Sequence, residues 1–290
     1  MKKIAWIGTG VMGNAMVSHL INAGYPVSIY TRSKEKAENL KDRANVYDSV
    51  GDAVKDADVV ITMVGYPKDV KEVYTGVNGV FENANKGTLC IDMTTSSPTL
   101  AEELYVIALE KGHRMLDAPV SGGDIGAKNA TLSIMVGGDQ KDFEQATELF
   151  AYMGKSITYI GKAGAGQHCK MANQIVVAGN IAAITESMHY ASNAGIDPEI
   201  VLQAISGGAA GSWQVSNNGP KILKQNYDPG FYIHHFIKDL TLVKEEADKA
   251  HIDLPIALQV LKLYRQLLEE GYGQLGTQAL IKAYKKNHES

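Results

Sequence analysis

The feature that most restricts this chain is Gly8-Thr9-Gly10-Val11-Met12-Gly13, a G-x-G-x-x-G directly behind the apolar run Lys3–Ile7. Alone, such a motif says little. Here a strand candidate precedes it, a helical pattern opens within it, and a second strand candidate, Val27–Thr31, follows. That succession is the dinucleotide fingerprint. Gly8 permits the tight turn, Gly10 lets the backbone approach a pyrophosphate, and Gly13 lets the helix pack on the strand. Val11 and Met12 then offer main-chain amides at the helix start, where an anion is favoured. A glycine-rich turn without ligand is the other reading, and it does not account for the context.

Further strand candidates are Asp58–Val64, Leu89–Met93, Arg114–Ala118, Leu132–Val136 and Ile157–Ile160. Several are nearly continuous in Val, Ile, Leu and Met, as strands covered on both faces are. Helical patterns alternate with them at Asn14–Ala23, Lys34–Asp42, Leu100–Lys111 and Lys141–Met153. The order predicts an α/β fold, a Rossmann-type doubly wound sheet. The pattern changes at the glycine-rich joint Gly161-Lys162-Ala163-Gly164-Ala165-Gly166. Beyond it no strand is expected, and Gln167–Asn193 reads as one helix of roughly 40 Å. Helices are expected at Pro198–Ile205, Ser212–Gln225, Phe236–Ala250, Pro255–Glu270 and Thr277–Lys285. The expected organisation is thus a nucleotide-binding domain over residues 1–162 and an all-α domain over 163–290.

Composition excludes other classes. With 28 basic and 32 acidic side chains there is no basic excess to bind nucleic acid. No run reaches 18 apolar residues, so no membrane span is expected. The apolar run after Met1-Lys2-Lys3 ends at Gly8, too short for a secretory signal, and a cytoplasmic protein is expected. Two cysteines, Cys90 and Cys169, form no CxxC pair, which excludes a disulfide framework and a zinc ribbon.

The second strand bears on the choice of coenzyme. An Asp or Glu roughly 20 residues past the glycines holds the ribose 2′-hydroxyl of NAD. Ser28-Ile29-Tyr30-Thr31-Arg32-Ser33 has no carboxylate, and Arg32 stands 19 residues after Gly13. A guanidinium there can grip the 2′-phosphate of NADP, with Thr31, Ser33 and Lys34 as further donors. This favours NADP. NAD stays open if Arg32 only stacks on the adenine.

Three later segments point to chemistry. Asp92-Met93-Thr94-Thr95-Ser96-Ser97-Pro98 ends a strand with hydroxyls, where ligands of parallel sheets lie. The same residues suit a helix cap. Asp117-Ala118-Pro119-Val120-Ser121-Gly122-Gly123 also follows a strand, and its glycines and hydroxyl form either a nest for a carboxylate or an ordinary turn. Lys170, Asn173 and Gln174 share one helix face at i, i+3 and i+4. A lysine there is either a snorkelling residue or, if partly buried, a proton donor usable near neutral pH. His168 and Cys169 point elsewhere on the helix and read as structural.

In combination these motifs, together with Gly166-Gln167-His168-Cys169-Lys170-Met171-Ala172-Asn173-Gln174 and Phe236-Ile237-Lys238-Asp239-Leu240, resemble the β-hydroxyacid dehydrogenases. That family includes 3-hydroxyisobutyrate dehydrogenase, tartronate semialdehyde reductase and the glyoxylate/succinic semialdehyde reductases. The resemblance spans essentially the whole chain. It implies that Lys170 is the catalytic lysine and that Ser121, Gly122 and Gly123 bind the substrate, with Asn173 or Gln174 in the second polar role. It implies that Ser96 stands on the nicotinamide ribose side and that Lys238 reaches the cofactor, with Phe231 and Asp239 as helpers. Val64 is placed at the cofactor, and Arg32 matches the arginine of NADP-using members. Two departures stand out: Gln174 where many members have Asn, as in the tartronate semialdehyde reductase branch, and Val64-Gly65-Tyr66-Pro67 where a Leu-Pro strand end is common.

The implied function is NADP-dependent hydride transfer between nicotinamide and a small β-hydroxy acid or its semialdehyde, with Lys170 as general acid and base. The family's larger relatives, the 6-phosphogluconate dehydrogenases, have much longer helical domains than the stretch that ends here soon after Tyr284, so the resemblance implies no sugar-phosphate substrate. The expected partner is a small carboxylate-bearing substrate. The family implies a homodimer or homotetramer. His234-His235 lacks a further ligand at useful spacing, so no metal is expected; Trp213 reads as a packing residue, with a lid over the pocket from the helical domain as the other reading. The rival readings are a non-catalytic NADP-binding scaffold, whose relatives lack such a lysine, and an imine reductase, which commonly carries Asp or Tyr in its place.

Overall fold

A computed structural model describes residues 2–285 and divides them into two compact units, one up to Lys170 and one from Met171. In the first unit nine strands form one sheet: β1 (Ile4–Ile7), β2 (Val27–Tyr30), β3 (Asn45–Tyr47), β4 (Val59–Thr62), β5 (Leu89–Asp92), β6 (Arg114–Asp117), β7 (Val120–Ser121), β8 (Leu132–Gly138) and β9 (Gly154–Gly161). Their order is β3-β2-β1-β4-β5-β6-β8-β7, with β9 also on β8. Pairings from β3 to β6 are parallel, as are β8 and β9; β8 runs antiparallel to β6 and β7. The sheet is therefore parallel-dominated, with an antiparallel step where β8 enters.

Helices of this unit are α1 (Val11–Asn22), α2 (Val50–Val54), α3 (Pro67–Thr75), α4 (Val80–Asn83), α5 (Pro98–Glu110), α6 (Gly123–Lys128) and α7 (Gln140–Ala151). α8 (Ala165–Asn193) starts in it. Side-chain alternation along the strands divides the apolar residues into two cores, one on each face. Ile4 and Trp6 of β1 join Val59 and Ile61 of β4 and Met16 and Leu20 of α1. Ala5 and Ile7 join Val60 of β4, Tyr74 of α3 and Leu104 of α5. Strands buried on both sides are what the continuous apolar runs require. The Trp6 indole, fully buried, has its N–H satisfied by Gly8 O at 2.8 Å.

The second unit contains α9 (Pro198–Ser206), α10 (Trp213–Asn217), α11 (Gly219–Leu223), α12 (Ile233–Lys249), α13 (Pro255–Glu269) and α14 (Lys282–Lys285). Its core gathers Ile181 of α8, Phe236 of α12, Tyr264 of α13 and Leu280. Among the described residues the only strand-like pairing beyond Gly161 is an isolated bridge between Tyr232 and Gly276.

Several elements differ from the sequence reading. The helix expected over Ser212–Gln225 is two, broken at Asn218, because Pro220 has no N–H and its ring disfavours a helix running into it. Lys34–Leu40 and Thr277–Ile281 are 3-10 segments. The sequence reading leaves out β3, β7, α2, α4 and α6, which are too short to show a period, and also α3, whose nine residues carry a helical pattern with Val70 and Tyr74 buried.

Candidate active site

The glycine loop is built by close approach. Gly8 has φ +99°, and its N–H donates to Tyr30 O at 2.8 Å. A Cβ on Gly8 would lie 2.3 Å from Met63 O, and one on Gly13 would lie 2.1 Å from Gly8 O. A Cβ on Gly10 would meet nothing within 4 Å. Gly8 and Gly13 are thus fixed by the protein itself, whereas Gly10 faces open space at the start of α1. α1 has no side-chain cap and no acidic residue in its first turn, so its leading amides remain available to an anion. Thr9 and Ser96 each bury a hydroxyl oxygen that has no hydrogen-bond partner among the described residues. Such an orphan costs about 1–3 kcal/mol. An open glycine turn, uncapped amides and two unpartnered hydroxyls together fit a bound dinucleotide.

At the end of β2, Thr31 is buried and Arg32 is 83% exposed. Ser33 caps the following 3-10 segment without a side-chain bond, and Lys34 is paired with Asp48. A carboxylate does approach Arg32, contrary to the inference from the β2 segment alone. Asp69 of α3 lies 3.5 Å from its guanidinium, while its other oxygen accepts the Tyr66 N–H at 3.1 Å. Thirty-odd residues of chain separate the two, so local spacing gave no sign of it.

The ends of β4, β5 and β6 are tied together by buried polar groups. Asp92 Oδ1 accepts from the Thr62 hydroxyl at 2.7 Å and from Thr94 N at 3.1 Å. Val64 N donates to Thr94 Oγ1 at 3.0 Å. Ser97 caps α5 through Leu100 N, which leaves Ser96 as the hydroxyl not spent on a cap. Asp117 accepts from Gly164 N and Gln167 N, both at 2.8 Å, at the start of α8. Burial pushes its carboxyl up to about 7, against the pull of those amides in the opposite direction.

In the same turn of α8, Lys170 is buried and its Nζ donates to Val120 O at 2.8 Å. That places the amine next to Ser121, Gly122 and Gly123. Gly122 and Gly123 have φ +137° and +64°, a backbone that turns sharply before α6. His168 is exposed, pointing away from this buried face.

In the second unit, Asn173 Nδ2 donates to Gln174 Oε1 at 2.8 Å, and Gln174 Nε2 donates to buried Asp239 at 2.5 Å. Lys238 Nζ stands 3.0 Å from the other Asp239 oxygen. Asp239, recorded by sequence only as a helper, is the hub of this group. Phe231 packs edge-on to Phe236 at 5.7 Å. Burial, then His234 and Lys238, lower the His235 imidazole to about 4. Trp213 is 54% exposed, which does not fit a packing residue. Among the described residues, no three His, Cys, Asp or Glu side chains are grouped to hold a metal, and no helix is long and apolar enough to cross a membrane.

Comparison with known proteins agrees with this geometry. Residues 3–161 match the NAD-binding domain of 6-phosphogluconate dehydrogenase. Residues 164–284 match the NAD-binding region of NADP-dependent 3-hydroxyisobutyrate dehydrogenase. The chain is 50% identical over 286 residues to an uncharacterized oxidoreductase of Bacillus subtilis, covering 98% of this chain and 99% of that one. It is 38% identical to the 2-hydroxy-3-oxopropionate reductase of Escherichia coli, covering 97% and 96%. A solved structure of Mycobacterium tuberculosis 3-hydroxyisobutyrate dehydrogenase with L-serine superposes with a TM-score of 0.90 at 32% identity, covering 98% and 99%. Imine reductase structures such as that from Myxococcus stipitatus share the fold at 19% identity.

Proposed function

The chain belongs to the β-hydroxyacid dehydrogenase family of NAD(P)-dependent oxidoreductases acting on CH–OH, and within it we propose that it interconverts a small β-hydroxy acid and its semialdehyde, using NADP and the Lys170 amine. The observation that carries this reading is the buried Lys170 Nζ held 2.8 Å from Val120 O, beside the Ser121-Gly122-Gly123 turn. NADPH, when bound, supplies the hydride. Ser121 and the amides of Gly122 and Gly123 hold the substrate carboxylate. The Lys170 ammonium gives its proton to the oxygen of the aldehyde being reduced; in oxidation the neutral amine takes the hydroxyl proton. Asn173 takes the second polar role, since Gln174 is bound at both ends, to Asn173 and to Asp239. Fixing the reacting carbon through a remote carboxylate converts binding into orientation.

The test is a panel of glyoxylate, succinic semialdehyde, tartronate semialdehyde and methylmalonate semialdehyde with NADPH, alongside a cyclic imine. Turnover of one of the aldehyde acids is expected. Reduction of the imine alone would point to the imine reductase reading, and no turnover at all to a scaffold.

The proposed preference for NADP rests on Arg32, with Gly8, Gly10, Val11, Met12 and Gly13 on the pyrophosphate and Thr31, Ser33, Val64 and Ser96 along the dinucleotide. Phe231 and Lys238 are proposed cofactor contacts as well. A hydrogen bond to a charged group contributes about 1.5–3 kcal/mol. Arg32→Asp, which also adds repulsion, should lower the NADPH/NADH ratio of kcat/KM at least tenfold. Asp69→Asn removes the opposing charge and keeps an acceptor for Tyr66 N. Because Arg32 is exposed and solvent screens its charge, although Asp69 is mostly covered, the effect is smaller: the ratio should rise about two- to fivefold. A ratio unmoved by Arg32→Asp would remove the arginine from the 2′-phosphate.

A further inference from the structure

Gln167 is fully buried, three residues ahead of Lys170 in the first turn of α8. Both ends of its side chain are bound to main-chain groups just beyond β5. Oε1 accepts from Ser96 N at 3.0 Å, and Nε2 donates to Thr94 O at 2.8 Å. Its own N–H donates to Asp117 Oδ2 at the end of β6. One residue therefore joins the catalytic turn to two strand ends. The fit leaves no slack: a Cβ on Gly166 would lie 2.5 Å from Met135 O and 2.6 Å from Asp117 O. Thr94 is itself held by Asp92 and holds Val64, so the segments after β4 and β5 are bonded to the same turn.

A buried primary amide left unpaired is costly. An apolar side chain would fill this volume without that requirement. What the amide adds is a fixed separation between two segments that carry different parts of the reaction. Ser96, with its unpartnered buried hydroxyl, lies on one. Lys170 lies on the other. We propose that Gln167 is a positioning residue that locks the Ser96 segment to the Lys170 turn, so that the proton carrier keeps register with the nicotinamide side of the site. This rests on the reading of Lys170 and Ser96 given above.

The experiment compares Gln167→Met and Gln167→Glu with Lys170→Met, all in the full-length protein. Met matches the volume and removes both bonds; Glu keeps an oxygen for Ser96 N and loses the donor to Thr94 O. A displacement of about 1 Å can cost on the order of 10²-fold in rate. Gln167→Met should lower kcat by about that factor, with KM for the aldehyde acid changed less than about threefold. In the cofactor-free protein, hydrogen exchange at the Ser96 amide should accelerate in Gln167→Met and stay slow in Gln167→Glu. Glu should still lower kcat, since the Thr94 bond is gone. If either folded variant keeps wild-type kcat, or if Ser96 exchange in Gln167→Met matches wild type, the positioning role is overturned. If Lys170→Met also retains full turnover, it is the reading of Lys170 that fails, and Ser96 exchange still decides whether Gln167 locks the segment.

Discussion

Replacing Lys170 by Met should abolish most of the proposed turnover while the protein still binds NADPH. General acid–base assistance is typically worth about 10² to 10⁴-fold, and kcat for aldehyde-acid reduction should fall by that order. Binding of NADPH, followed by its fluorescence, should change less than about threefold, because Lys170 is not among the proposed dinucleotide contacts. Met preserves the bulk of a buried stem, so a cavity does not confuse the result. It does leave Val120 O without its donor, a loss of about 1–3 kcal/mol in stability. Melting must therefore be measured beside activity, and kcat normalised to folded protein. Lys170→Arg separates charge from proton transfer: the guanidinium stays protonated at all working pH values. It can sit near a carboxylate yet gives or takes no proton, so it too should be inactive. An active Lys170→Arg enzyme would show that charge alone suffices there and would end the acid–base assignment.

What the sequence disclosed and what it hid follow from distance along the chain. The glycine loop was legible because its three glycines act within one turn and beside one strand. Lys170 and the Ser121-Gly122-Gly123 turn were legible as local patterns, but their meeting was not. The bond from Lys170 to Val120 joins residues 50 positions apart. Gln167 went unnoticed for the same reason: its partners Thr94 and Ser96 are 73 and 71 positions away. Asp117 stood in plain view within its motif, yet only the fold shows that it accepts the first amides of α8. At Arg32 the strand segment alone suggested an unopposed cation, and the opposing carboxylate came from α3. Gln174 and Asn173 fall on one face with Lys170 on a helical wheel, and the bond from Gln174 to Asp239, 65 positions away, was not legible there. Apolar periodicity reports faces, and so it gave the sheet and its two covering layers. Polar pairing across the fold carries no period.

The glycine loop offers a second large effect, with a different sign of evidence at each position. Ala at Gly13 would put a methyl 2.1 Å from Gly8 O, and Ala at Gly8 would put one 2.3 Å from Met63 O with φ at +99°. Both contacts are with main chain, which cannot swing aside as a side chain does. Overpacking and left-handed strain each cost about 1–3 kcal/mol. These two variants should lose on the order of 2 kcal/mol or more of stability in the cofactor-free protein, read by denaturant or thermal unfolding. Ala at Gly10 meets nothing within 4 Å and adopts an ordinary extended backbone, φ −62° and ψ −176°. Its cofactor-free stability should stay within about 1 kcal/mol, the range expected for an N-cap Gly replaced by Ala. On the proposed reading the added methyl occupies the space through which the pyrophosphate would approach the α1 amides, so NADPH affinity should fall at least tenfold. If Gly10→Ala binds NADPH as tightly as wild type, the dinucleotide does not lie over this turn, whatever the resemblance of the motif. If all three variants destabilise the empty protein alike, Gly10 is one more packing glycine, and the open space beside it has no bearing on the ligand.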